Sequence, residues 1–217
     1  MDVPSVLRVL LLVGLAYLSG SIPMSVIVAR LSGGVDPRTV GSGRTGGTNA
    51  LRALGRGRAA VVVAGDVLKG ALPVLLARWL EAGPVVEALC ALAAILGSSR
   101  SIFLGFGGGR GVGTGVGTML VIQPLAVVLA APVFIGVILV TRYVSLGSLF
   151  AAVAIVFWMV VLWVATNGTF PVIYPIYAAA GAALIWLAHA DNIERLLHGQ
   201  ERKFDLSLLG GRRREGG

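Results

Sequence analysis

The chain has 217 residues, 56% of them hydrophobic and 13% charged, with a mean hydropathy of +0.89. These values exclude an ordinary soluble domain and point to the bilayer. The net charge of +8 would fit a nucleic-acid partner only on a soluble basic face, and the sequence offers no soluble segment large enough to present one, so no nucleic-acid partner is expected.

Apolar runs occur at roughly 3–29, 57–80, 84–104, 144–166 and 170–188, where about 20 residues cross a core about 30 Å thick. The first lacks a small-residue cleavage site after a short apolar core and reads as a span, not a signal peptide. Arg30, Arg38, Arg44, Arg52, Arg56 and Arg58 crowd the first connection, and Arg195, Arg202, Lys203, Arg212, Arg213 and Arg214 the carboxyl-terminal segment. Both are expected to be cytoplasmic. The connections around Glu81, Gly83 and Glu87 and around Asn167 are poor in positive charge, which suits the other side.

Two crossings are then needed between Gly111 and Val140 for Arg142 to be cytoplasmic. Gln123-Pro124 is the natural break, leaving pieces of about 12 and 16 residues, or roughly 18 and 24 Å of helix. At least one of these helices must be short, recessed or re-entrant. The expected fold is an all-α integral membrane protein of seven transmembrane helices, amino terminus out and carboxyl terminus in. One membrane-embedded domain covers 1–204, and a basic, disordered tail covers 205–217. The single cysteine, Cys90, reads as a small buried hydrophobe, and with no metal-ligand spacing no metal or cofactor is expected.

Three polar segments interrupt the apolar pattern. In "GSGRTGGTNALR", 41–52, glycines at 41, 43, 46 and 47 let successive N–H groups approach an anion. Ser42, Thr45, Thr48 and Asn49 add neutral donors, and Arg44 and Arg52 add charge and fork geometry. The inventory suits a phosphate, although a flexible connector with positive-inside arginines has the same composition. In "LGFGGGRGVGTGVG", 104–117, Arg110 suits either anion binding or interfacial anchoring. The glycines after 111 suit close helix packing. In "HADNIERLLHGQERKF", 189–204, His189 and Asn192 share a helix face, whereas His198 reads as structural. Asp66 and Lys69 of "GDVLKG", three apart inside a span, read either as an ion pair or as substrate contacts.

The ordered set of these segments, together with "TRYVSLGS", resembles the bacterial acyl-phosphate:glycerol-3-phosphate acyltransferases of the PlsY type over nearly the whole chain. The resemblance implies a seven-helix enzyme of the bacterial inner membrane, acting as a monomer with its active site facing the cytoplasm. Its substrates would be acyl phosphate and sn-glycerol 3-phosphate, acylated at the 1-hydroxyl, and its membrane-lipid product lysophosphatidic acid. By position, Gly41, Ser42, Gly43, Gly46, Thr48, Asn49 and Arg52 would hold phosphate, as would Arg110 and Gly111. His189 and Asn192 would orient glycerol phosphate, with His189 or the donor's own phosphate taking the proton. The chain departs from the pattern where Arg44 replaces asparagine, Ser98 a histidine, Gly107 a lysine and Arg110 a second lysine. Arg44 or Arg100 could restore the missing charge. A lipid-phosphate-binding relative without catalysis, or a small-anion transporter, would share many of these features.

Overall fold

The computed structural model describes residues 3–205. Within them the chain is helical, with one isolated bridge pairing Ser101 with Gly107. The helices are α1 Val3–Ser21, α2 Met24–Leu31, α3 Gly47–Leu54, α4 Arg56–Trp79 and α5 Pro84–Ser99, followed by α6 Val112–Ile122, α7 Pro124–Thr141, α8 Val144–Ala165, α9 Ile173–Ala188 and α10 Ala190–Leu197. The basic tail expected over 205–217 lies, beyond Asp205, outside the described residues.

On length and hydropathy α4, α7 and α8 each suffice to cross a bilayer, and α1 with α2 and α9 with α10 raise the number of candidate spans to five if each bent pair is one span. The shorter apolar helices are α5 and α6. The first apolar run is therefore not one straight helix. It bends by 48° at Ile22-Pro23, because proline supplies no N–H and its ring disfavours helix in the residue before it. Nor does the run 84–104 stay helical throughout. Beyond Ser99, Arg100 leaves helical geometry and Ile102–Leu104 forms a single 3-10 turn closed by left-handed Gly105. Gln123-Pro124 does break the following run, into helices of 11 and 18 residues.

Small residues set the helix spacing. A Cβ on Gly117 would stand 2.0 Å from the Val67 carbonyl oxygen, and one on Gly70 2.2 Å from that of Thr114, so α4 and α6 touch backbone to backbone. Gly20 and Gly97 play the same part between α1 and α5, against Ala94 and Tyr17. The glycines after 111 thus act in packing. Gly117→Ala should force α4 and α6 apart and cost about 1–3 kcal/mol. The check is thermal unfolding in detergent, where an unchanged melting temperature would contradict the close contact.

The core between α5, α6, α8 and α9 holds Ile95, Met119, Met159 and Tyr177. Leu10, Leu72, Val128, Leu139 and Phe157 remain exposed on the outer surface, the belt expected of a protein solvated by lipid. Asp66 and Lys69 pair at 2.8 Å, both nearly inaccessible. Lys69 Nζ also donates to the Ile22 carbonyl at 3.0 Å, so the pair fastens the α1–α2 bend to α4. At the far end of α4, Arg78 donates to Glu87 and to the Val121 carbonyl. Tyr174 also donates to Glu87, tying α4, α5, α6 and α9 together away from the polar segments.

Candidate active site

The three polar segments meet around one cavity of about 370 Å³. Four helices present their first turns to it. These are Gly47 and Thr48 of α3, Val112 and Gly113 of α6, Val144 and Ser145 of α8, and His189 with Asn192 at the start of α10. A helix start carries unpaired N–H groups and about half a positive charge, so their convergence makes an anion trap. Arg44, Arg52, Arg110, Arg195 and Arg202 also line the wall, against the carboxylates of Asp66 and Glu201. Asp66 is already paired with Lys69, and positive charge is in clear excess.

The first glycine-rich segment is a turn followed by α3. Asn49, 3% exposed, donates through Nδ2 to the carbonyls of Pro37, Val40 and Arg44, and its Oδ1 accepts from the Ser42 N–H. Its polar atoms therefore hold the turn, although its side chain also borders the cavity. Gly41 is left-handed, and a Cβ there would meet Asn49 Oδ1 at 2.2 Å. Gly43 is also left-handed and shapes the turn from outside the cavity wall. Ser42 and Thr48 face the cavity. Arg52, four residues after Thr48 on the same face of α3, joins them. It forms no ion pair with a carboxylate among the described residues; burial, with the Arg202 charge nearby, pulls its pKa down against the smaller opposing effect of the Glu201 charge. The guanidinium still stays charged, with no carboxylate in ion-pair contact among the described residues and only the more distant attraction of Glu201.

The second segment packs on the first. Gly109 donates its N–H to the Ser98 carbonyl at 2.9 Å, and its Cβ position would lie 3.7 Å from Thr45 Oγ1. Ser98 lines the cavity. Gly111 caps α6, and a Cβ there would approach Ile95 Cγ2 to 3.0 Å. Arg110, its side chain 13% exposed, donates to both oxygens of Asp191 at 2.7 and 3.1 Å and to the Ala188 carbonyl at 2.7 Å. Arg44 and Arg195 also approach Asp191, at 3.6 and 3.4 Å. Burial raises the pKa of Asp191, but the Arg110 hydrogen bonds and the three arginine charges outweigh it and hold the carboxyl well below the usual range.

His189 lies just past α9 and is 1% exposed. Its Nδ1 sits 2.8 Å from the Ile185 carbonyl, which accepts only, so Nδ1 carries the proton and Nε2 holds a lone pair. Asn192 is fixed by the same logic. Its Nδ2 donates to Glu201 Oε1 at 2.7 Å, and its buried Oδ1 has no partner. Glu201, its side chain 7% exposed, also accepts from Ser145 Oγ at 3.0 Å and Arg195 Nε at 2.8 Å. The Phe204 N–H to Arg142 carbonyl bond holds the returning chain beside α8.

Ser145, Arg195, Glu201 and Arg202 are not candidate site residues by sequence, although "TRYVSLGS" and "HADNIERLLHGQERKF" contain all four. No spacing rule joins α8 to the segment after α10. His198 is exposed and bonds back to the Glu194 carbonyl, away from the cavity. A smaller apolar slot of about 70 Å³, lined by Met119, Ala152, Tyr177 and Ile185, shares Val112, Val116 and Ser148 with the polar cavity.

Residues 10–199 match the family described as glycerol-3-phosphate acyltransferase. A relative of that name from Geobacter sulfurreducens is 43% identical over 198 residues, covering 91% of this chain and 98% of its own. One from Thermus thermophilus is 44% identical over 189 residues, covering 87% and 92%. The crystal structure of PlsY, an integral membrane glycerol 3-phosphate acyltransferase, in its glycerol 3-phosphate form superposes with a TM-score of 0.84 at 36% identity, over 94% of this chain and all of that one. Its lysophosphatidic acid form gives 0.83 at the same identity over 94% and 99%. With nearly the whole chain matched in sequence and in fold, the protein belongs to the glycerol-3-phosphate acyltransferase family.

Proposed function

We propose that the chain moves a fatty acyl group from acyl phosphate to the 1-hydroxyl of sn-glycerol 3-phosphate, giving lysophosphatidic acid and phosphate. The observation that carries this reading is the convergence of four helix starts and five arginines on one cavity, with an apolar slot sharing its wall. Two phosphate-bearing substrates need that much positive charge, and a fatty chain needs an apolar wall. The relatives' names and the ligands of the two PlsY structures support the same acceptor and product.

Acyl phosphate is a mixed anhydride, so no covalent enzyme intermediate is needed. The acceptor hydroxyl oxygen bonds to the acyl carbon, the carbon–oxygen bond to phosphate breaks, and phosphate leaves with the electron pair. Ser42, Thr48, Arg52 and Arg110, with the N–H groups around Gly111, neutralise the phosphates and the developing oxyanion. The unpartnered Asn192 Oδ1 accepts a hydrogen bond from a glycerol hydroxyl, which orients the acceptor. The lone pair on His189 Nε2 or the departing phosphate takes the hydroxyl proton.

We further read seven crossings, with α5 and α6 among them, an amino terminus outside and the cavity at the cytoplasmic face of a bacterial inner membrane. Arginine placement supports that orientation. Action as a monomer belongs to the same reading. In purified form the protein should release phosphate only when acyl phosphate and glycerol 3-phosphate are both present. Phosphate release without acceptor acylation, or none at all, would contradict the reading.

A further inference from the structure

Arg44 lines the cavity and has no task in the mechanism above. Its guanidinium, one-third exposed, lies 3.6 Å from Asp191 Oδ2, beyond hydrogen-bond reach. The same carboxylate already receives both donors of Arg110 and faces Arg195 at 3.4 Å. Three guanidinium groups thus share one carboxylate, and Arg195 has Glu201 as a second partner. Among the described residues the Arg44 guanidinium is held by charge alone, at a distance where solvent weakens the attraction. Its backbone, by contrast, is anchored. The Arg44 carbonyl accepts from Asn49 and its N–H donates to Ser42 Oγ at 3.4 Å. The stem is therefore fixed at the cavity wall while the charged head can change partner at small cost. Arg100 differs, being exposed and absent from the wall.

We propose that Arg44 is a substrate-binding residue, whose guanidinium exchanges Asp191 for a substrate phosphate and closes on it together with Arg110. This rests on the acyltransferase reading of the cavity. Two forked guanidinium groups match the oxygens of one phosphate. Both substrates carry that group, and kinetics separates them.

The experiment compares wild type, Arg44→Ala, Arg44→Lys and Arg100→Ala by phosphate release with each substrate varied in turn. Protection from thermal unfolding by inorganic phosphate is measured on the same preparations. Arg44→Ala should raise KM for one of the two phosphate substrates by about ten- to a hundredfold, the loss expected for a charged hydrogen bond, with kcat within about threefold. It should also shift phosphate protection to higher concentration. Arg44→Lys should recover part of both effects, and Arg100→Ala should match wild type. The substrate whose KM moves is the one Arg44 holds. Unchanged KM for both substrates would overturn the proposal, as would a fall in kcat with neither KM moved, which marks a structural role. Should wild type prove inactive, the acyltransferase reading fails, and the phosphate-protection comparison alone still decides whether Arg44 binds the anion.

Discussion

Replacing Arg52 with alanine should lower kcat/KM by on the order of a hundred- to a thousandfold, about 3–4 kcal/mol, while leaving the protein folded. The reason lies in what Arg52 does not touch. Arg110 is braced by Asp191 and Arg195 by Glu201, whereas Arg52 forms no ion pair among the described residues and sits half-buried, where the like charge of Arg202 outweighs the attraction of Glu201. Such a cation is poorly solvated until an anion arrives, so it contributes little to folding and much to binding. Arg52→Lys keeps the charge and loses the fork, and partial recovery is expected. Steady-state kinetics and a melting curve on each variant test this together. Near-normal kcat/KM for the alanine variant would remove Arg52 from the site, and gross unfolding would mean its role is structural.

Glu201→Ala should fail in both respects. Its carboxylate accepts from Asn192, Ser145 and Arg195, so truncation leaves a buried amide, a hydroxyl and a guanidinium short of a partner. Breaking a buried ionic network in this way costs about 3–5 kcal/mol. Asn192 also loses the bond that fixes its amide, so turnover should fall by about a hundredfold or more in whatever protein survives. Glu201→Gln can still accept a hydrogen bond and should be milder in both measures. A Glu201→Ala variant with wild-type melting temperature and wild-type turnover would contradict the network.

How much of this was legible beforehand follows from the range of each signal. Runs of apolar residues located the helices, and Gln123-Pro124 marked a real break because proline acts locally. Pro23 carries the same local signal and bends the run 3–29 by 48°, while its hydropathy is continuous across the bend and still allows one broken span. The run 84–104 overshoots its helix since Ile102, Phe103 and Leu104 are apolar, although α5 ends at Ser99 and Gly105 closes a separate 3-10 turn. The three polar segments do meet at one cavity, where Ser42, Thr48, Asn49, Arg52, Arg110, Gly111, His189 and Asn192 are all found. Their division of labour needed coordinates. Asn49 has a phosphate-binding composition but spends its hydrogen bonds on its own turn, and Gly43 stands behind the wall. Glu201 lies within the third polar segment but no spacing marks its role, because its partners come from α8 and α10 and only folding brings them together. Arg44 and Arg100 were equivalent on paper and differ by side-chain direction.

The donor is the claim on which the mechanism turns. Small phosphate-sized cradles made of helix starts and short connections suit an acyl phosphate, whereas an acyl-CoA donor would need a larger adenosine-binding surface. The decisive measurement is acylation of glycerol 3-phosphate by one purified preparation, offered acyl phosphate or acyl-CoA of the same chain length. Lysophosphatidic acid formed from acyl phosphate, with equimolar phosphate and none from acyl-CoA, is the predicted result. Transfer from acyl-CoA at a comparable rate, or from neither donor, would contradict it.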